Sequence, residues 1–115
     1  MKRNMDLIRL ILLNVEGEES VDLSAYNGEQ VNYHTKLLYD AGFIDGVDAS
    51  TISGWEILDP TLTWEGHDFL DVARNENVWS ESMRQIGKGI GTASLDVIKT
   101  VLAAVATQML TGGRP

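Results

Sequence analysis

Two histidines, one lysine set among glycines and three tryptophans are the residues of this chain whose types suit chemistry. His67 follows Glu65, adjoins Asp68 and precedes Asp71 by one helical turn. On a helix the i, i+4 spacing sets His67 and Asp71 on one face, where the pair can serve a general base or half of a metal site. The other histidine, His34, lies far away in sequence. A helix-start histidine bonded to its neighbours is therefore the simpler expectation for His67. Gly87-Lys88-Gly89-Ile90-Gly91 carries only part of a phosphate-loop pattern, without the G-x-x-x-x-G-K-[ST] spacing, and reads as a hinge. Trp55, Trp64 and Trp79 have the ring faces to stack bases, but their apolar settings favour core or subunit contact. With no cysteine there is no thiolate ligand or thiol nucleophile, and a reducing, cytoplasmic location is expected. No catalytic, cofactor-binding or metal-ligating residue is assigned, no cofactor is implied, and no enzymatic activity is expected.

A fourth constellation is polar rather than catalytic. Glu29 to Ile44 reads as one helix with a glycine stop: Val31, Thr35, Leu38 and Ala41 form the stripe expected to face the core. Gln30, Asn32, Tyr33, His34 and Lys36 are then left on the outer face. Such side chains can touch base edges and phosphates, or a protein partner. The order VNYHTKLLYDAGFI resembles the recognition-helix stretch of winged-helix repressors of the arsenic-repressor type, V-S-x-H-L-x-x-L-x-x-A-G-L-V. Val31, His34, Leu38, Ala41, Gly42 and the Phe43-Ile44 pair carry that resemblance. Charge opposes the DNA reading. The chain has 17 acidic and 9 basic residues, net −8, whereas a DNA-binding surface needs cations to replace condensed counterions.

The elements that would position these residues follow from periodicity. Asn4 to Val15 is apolar around most of its circumference and is expected to be a central core helix. Interruption of this run by Asp6 and Arg9 argues against a signal peptide, and no apolar run is long enough to span a bilayer. Glu16 to Ser24 is an acidic loop with a candidate short strand at Val21-Asp22-Leu23, leaving the first helix of a helix-turn-helix shortened or missing. Residues 44–62 suit short antiparallel strands forming a two- or three-stranded wing, with candidate turns at Ser53-Gly54 and Asp59-Pro60. That wing carries Asp45, Asp48, Glu56 and Asp59 and no base. Thr63 is a good N-cap for a helix over Trp64 to Asn75, with a further helical pattern through Ile86. Ser94 caps a last helix to Leu110, with Leu95, Ile98, Val101, Leu102, Val105 and Met109 as its apolar surface.

Three blocks, MKRNMDLIRLILL, VNYHTKLLYDAGFI and LTWEGHDFLDVARNENVW, are together similar to an uncharacterised bacterial and prophage family described only as a domain of unknown function. That family opens MKR-x-MDL-x-R, then carries Y-H-x-x-L-L-x-x-A-G and L-T-W-E-G-H-x-F-L-D-x-A-R. Asp6, Arg9, Tyr33, His34, Leu37, Leu38, Gly42, Leu62 to His67, Phe69 to Asp71, Ala73, Arg74 and Trp79 match. The resemblance implies a phage or mobile-element origin and a winged-helix body, and it implies no activity.

The resulting expectation is an α+β protein. A winged-helix domain occupies residues 1–86, a glycine-rich hinge 87–93 and an oligomerisation helix 94–111. A hinged apolar helix needs cover, and a second copy of the chain is the simplest source, so a homo-oligomer is expected. No membrane association is expected, since Lys99 is the last helix's one base. The leading function is a non-enzymatic interaction or regulatory protein, with DNA contact through the Glu29 helix disfavoured by charge. The alternative is an acidic decoy that binds a host DNA-handling or defence protein.

Overall fold

A computed structural model describes residues 2–18, 20–89 and 94–110. These form α+β structure: five α-helices and one two-stranded antiparallel sheet. The order is α1 (Met5–Glu16), α2 (Gly28–Asp40), β1 (Ile44–Asp48), β2 (Ile57–Leu62), α3 (Trp64–Ala73), α4 (Glu76–Gly89) and α5 (Leu95–Leu110). The chain divides into two units, one up to Leu70 and one from Asp71 onward. That division falls inside α3, not at the glycines of residues 87–93.

In the first unit, Asn4 caps α1 by accepting the Leu7 amide on its side chain at 3.1 Å. Leu7, Ile8, Ile11 and Leu12 are buried, as a core helix requires. Val21-Asp22-Leu23 forms no strand, and no helix intervenes before α2. A full capping box starts α2: the Asn27 side chain accepts from the Gln30 amide, and the Gln30 side chain accepts from the Asn27 amide. The helix ends in a Schellman pair, with Phe43 N–H bonded to Leu38 O at 2.9 Å and Gly42 N–H to Tyr39 O at 3.1 Å. Gly42 lies at φ +82°, where a side chain would be strained.

The buried face of α2 differs from the apolar stripe read from sequence. Leu38 is buried, but its partner one turn earlier is His34, while Val31 and Thr35 are half-buried and Ala41 is exposed. His34 can hold that buried place because both of its ring nitrogens are hydrogen-bonded, which offsets the cost of burying the imidazole.

β1 and β2 pair Ile44 with Leu62, Asp45 with Thr61, Val47 with Leu58 and Asp48 with Ile57, with a register shift between Asp45 and Val47. The turn expected at Asp59-Pro60 is instead an irregularity within β2. Pro60 has no N–H for the ladder, and Asp59 takes φ +51°, a conformation that a short polar side chain tolerates. Past the paired strands the hairpin continues through Ala49 N–H to Glu56 O, then closes around Ile52-Ser53 between Thr51 and Gly54.

In the second unit α5 packs on α4. Ile98, Leu102 and Val105 are 1–2% exposed, against a unit that also buries Val78, Trp79, Ser82 and Ile86. The apolar stripe assigned to a second copy is thus largely covered within the chain: α4 supplies the cover that the sequence reading sought elsewhere. Leu95 and Val101 are half-buried and Met109 is exposed. The glycine stretch does not begin where α4 ends, since Gly87 to Gly89 complete that helix; residues 90–93 lie outside the described residues.

Candidate interaction surface

The five residues expected on the outer face of α2 divide by role. His34 is 1% exposed. Its Nδ1 donates to the Gln30 carbonyl at 2.7 Å, and its Nε2 accepts the Asn4 backbone N–H at 2.8 Å. That pattern defines one neutral tautomer with no free nitrogen. His34 therefore leaves the set of contact residues; it ties the cap of α1 to the body of α2. Gln30 is committed to the capping box. Asn32 is exposed but donates its side-chain amide to the Trp55 carbonyl at 3.0 Å, fixing α2 to the hairpin. Tyr33, 36% exposed, lies edge-on to the His34 ring at 5.3 Å. Lys36 is exposed and pairs with Asp40 at 2.9 Å. Two outward side chains thus remain, and the one cation among them is already bonded.

Two residues of the specific block LTWEGH, Thr63 and Gly66, have a direct structural explanation. Thr63 Oγ1 donates to the Gly42 carbonyl and accepts the Gly66 amide, while Thr63 N–H bonds to Phe43 O at 3.0 Å. Gly66 sits against that same carbonyl so closely that a Cβ would lie 2.0 Å from Phe43 O. Thr63 and Gly66 therefore clasp the start of α3 to the end of α2, across the base of the hairpin. Trp64, between them, contributes nothing to this clasp and is 83% exposed.

The hairpin itself presents the largest departure from an inert surface. Ile52 at its tip is fully exposed, and the cross-strand partners Val47 and Leu58 are 59% and 47% exposed. Its charged residues are Asp45, Asp48, Glu56 and Asp59. Hydrogen bonds from the Ser50 hydroxyl, then from its amide, hold the Asp48 carboxyl below the usual range, with a smaller contribution from Lys36. A shallow cleft of about 390 Å³ opens between the tip and the first turn of α2, and its charged lining residues are Glu29 and Glu56.

Charge is divided unequally between the units. Residues up to Leu70 carry thirteen acids and four bases; those from Asp71 carry four acids and five bases. The acidic balance therefore belongs to the first unit alone. His67 is exposed, and Asp71 pairs with Arg74 at 3.7 Å. Among the described residues, no group of three or more His, Cys, Asp or Glu gathers to hold a metal. No described helix is long and apolar enough to cross a membrane.

Sequence reading missed the role of His34 because a polar ring in a helix was counted as outward. The signal was present as a histidine one turn before a buried leucine. It missed the clasp because Thr63 and Gly66 meet Gly42 and Phe43 only once the hairpin closes.

A family model described as "Hypothetical protein (DUF2513)" matches residues 2–93. An uncharacterized protein of Haemophilus influenzae is 38% identical over 117 residues, covering 96% of this chain and 99% of that protein. No solved structure matches.

Proposed function

The chain belongs to the DUF2513 family of hypothetical proteins, and from that premise we propose a non-enzymatic, protein-binding role. On this reading the first unit is a winged-helix-like scaffold: α2 stands where a recognition helix would and the 44–62 hairpin where a wing would. It has exchanged DNA contact for contact with a basic, nucleic-acid-handling protein. The observation that carries the reading is the hairpin. A wing that met phosphates would need Lys or Arg to replace counterions, and this one has four carboxylates and no base. The one lysine of α2 adds little, since Asp40 holds it. On this reading the setting is a mobile element engaging a protein of its host.

The test is competition. A labelled DNA duplex mixed with the protein at low salt should give no shifted band, and a lysine- and arginine-rich peptide bound to that duplex should be displaced as the protein is added. A shifted duplex that weakens with salt and on Lys36→Ala would replace this reading with a DNA-binding one.

A further inference from the structure

We propose that the outer face and tip of the 44–62 hairpin are the docking surface for a partner segment that alternates basic and apolar residues. The inference rests on the protein-binding reading above and deepens it by naming the surface and the chemistry it takes.

The tip carries the first part of the argument. Two-residue turns favour Gly, Asn, Asp or Ser, each for a local backbone reason. Here those needs are met without position 52. The Thr51 hydroxyl bonds to Ser53, and the Thr51 and Gly54 backbones exchange both hydrogen bonds. Ile52 nevertheless occupies the turn with its whole side chain in water. An aliphatic chain so placed adds nothing to the chain's own core, whereas it gains contact free energy when a partner covers it.

The strands carry the second part. Val47 and Leu58 oppose one another in register and are both about half exposed, so they form an apolar pair on the outer face. Asp45 and Thr61 are the next pair toward the base of the hairpin, and Asp45, two residues before Val47, shares its face of the strand. The apolar pair is thus bordered by the Asp45 carboxylate. Asp45 accepts the Gly46 amide at 2.8 Å, which orients its carboxylate.

Charge selects the occupant. Self-pairing of this face in a symmetric dimer would set its own four carboxylates against each other, and an anionic lipid surface would bring phosphates. Both juxtapose like charges at short range. A segment with Lys or Arg beside Leu, Ile or Val meets the apolar pair with its aliphatic side chains and the rim with its cations. Trp64, exposed at the base of the hairpin, provides a spectroscopic reporter near the surface.

The experiment uses the full chain and a short synthetic peptide of alternating lysine and leucine as the probe. A lysine–serine peptide of equal charge and a glutamate–leucine peptide are the comparisons. Binding is read by calorimetry at physiological salt and by tryptophan emission. The lysine–leucine peptide should bind at least tenfold more tightly than either comparison. Ile52→Ser, and separately Val47→Thr with Leu58→Thr, should each weaken it at least fivefold while circular dichroism stays unchanged. Asp45→Asn with Asp59→Asn should weaken it and flatten its salt dependence.

Equal binding of the lysine–serine peptide would overturn the proposal, because charge alone would then account for the contact. Unchanged affinity in both apolar variants would overturn the location while leaving the protein-binding reading in place. No binding of the lysine–leucine peptide would also overturn the proposal, as would light scattering showing that the hairpin variants dissolve a dimer. A shifted DNA duplex in the competition assay is a separate result, and it alone removes the broader reading.

Discussion

At the scale of single residues, the first unit depends on a few positions whose side chains, or lack of them, are dictated by contacts distant in sequence. Gly66 is the sharpest case. A methyl group there would overlap the Phe43 carbonyl, and the obstacle is backbone, which cannot swing aside. Gly66→Ala should therefore cost about 3 kcal/mol or more in urea unfolding, well beyond the typical effect of a glycine-to-alanine change in a helix. His34 gives a second test. His34→Ala removes a buried ring and strands the Asn4 N–H, so a loss of about 2–4 kcal/mol is expected. Nitrogen NMR of the ring should report the tautomer protonated at Nδ1. A ring protonated at Nε2 would contradict the bonding pattern. Neither contact could be read from local sequence, because each joins residues separated by a loop or a hairpin. Visible in sequence were the caps Thr63 and Ser94, each of which bonds an amide of its helix's first turn, whereas Asn4, read as part of the first helix, proves to be its cap.

At the scale of elements, helix limits followed from caps and glycine stops, and the last helix runs Leu95–Leu110 where the sequence placed it from Ser94. The partner of that helix did not follow. Periodicity says that a face is apolar, but not which surface covers it, and α4 proved sufficient for Ile98, Leu102 and Val105. The hairpin allows a titration test. Asp48 is held below the ordinary aspartate range by the Ser50 hydroxyl and amide, so its folded-state value is lower than its unfolded one. The stabilisation linked to that shift is complete above about pH 4, and it is lost as the pH falls through the lowered folded value. Carboxyl NMR should find the Asp48 midpoint below those of unbonded aspartates, and Ser50→Ala should move it upward. An unmoved midpoint in the variant would show that Ser50 is not the cause.

At the scale of the whole molecule, the total charge of −8 hides its own distribution. The sequence gives the totals, but the boundary at Leu70 is what assigns every excess carboxylate to the first unit. Repulsion among them opposes compaction and is weakened by salt. Raising sodium chloride from about 20 to 200 mM, across which the screening length falls severalfold, should therefore raise the melting temperature. A fall, or no change, would mean that local pairs such as Lys36–Asp40 already offset the repulsion. The α+β class was legible because helical and strand periodicities alternate clearly. The two-unit division was not, since it interrupts no pattern and lies within a continuous helix.

The clasp at Thr63 and Gly66 has a consequence for how the chain is born. During synthesis α1, α2 and both strands leave the ribosome before the residues that fasten them. Until Thr63 has emerged, Phe43 O has no Thr63 amide to accept, and the latch is complete only when Gly66 follows. A nascent chain paused just short of that point would have its strand ladder and the Asn32–Trp55 bond but not the clasp, a form more open to premature association. The block that distinguishes this sequence is thus also the segment whose arrival completes the contacts of the first unit.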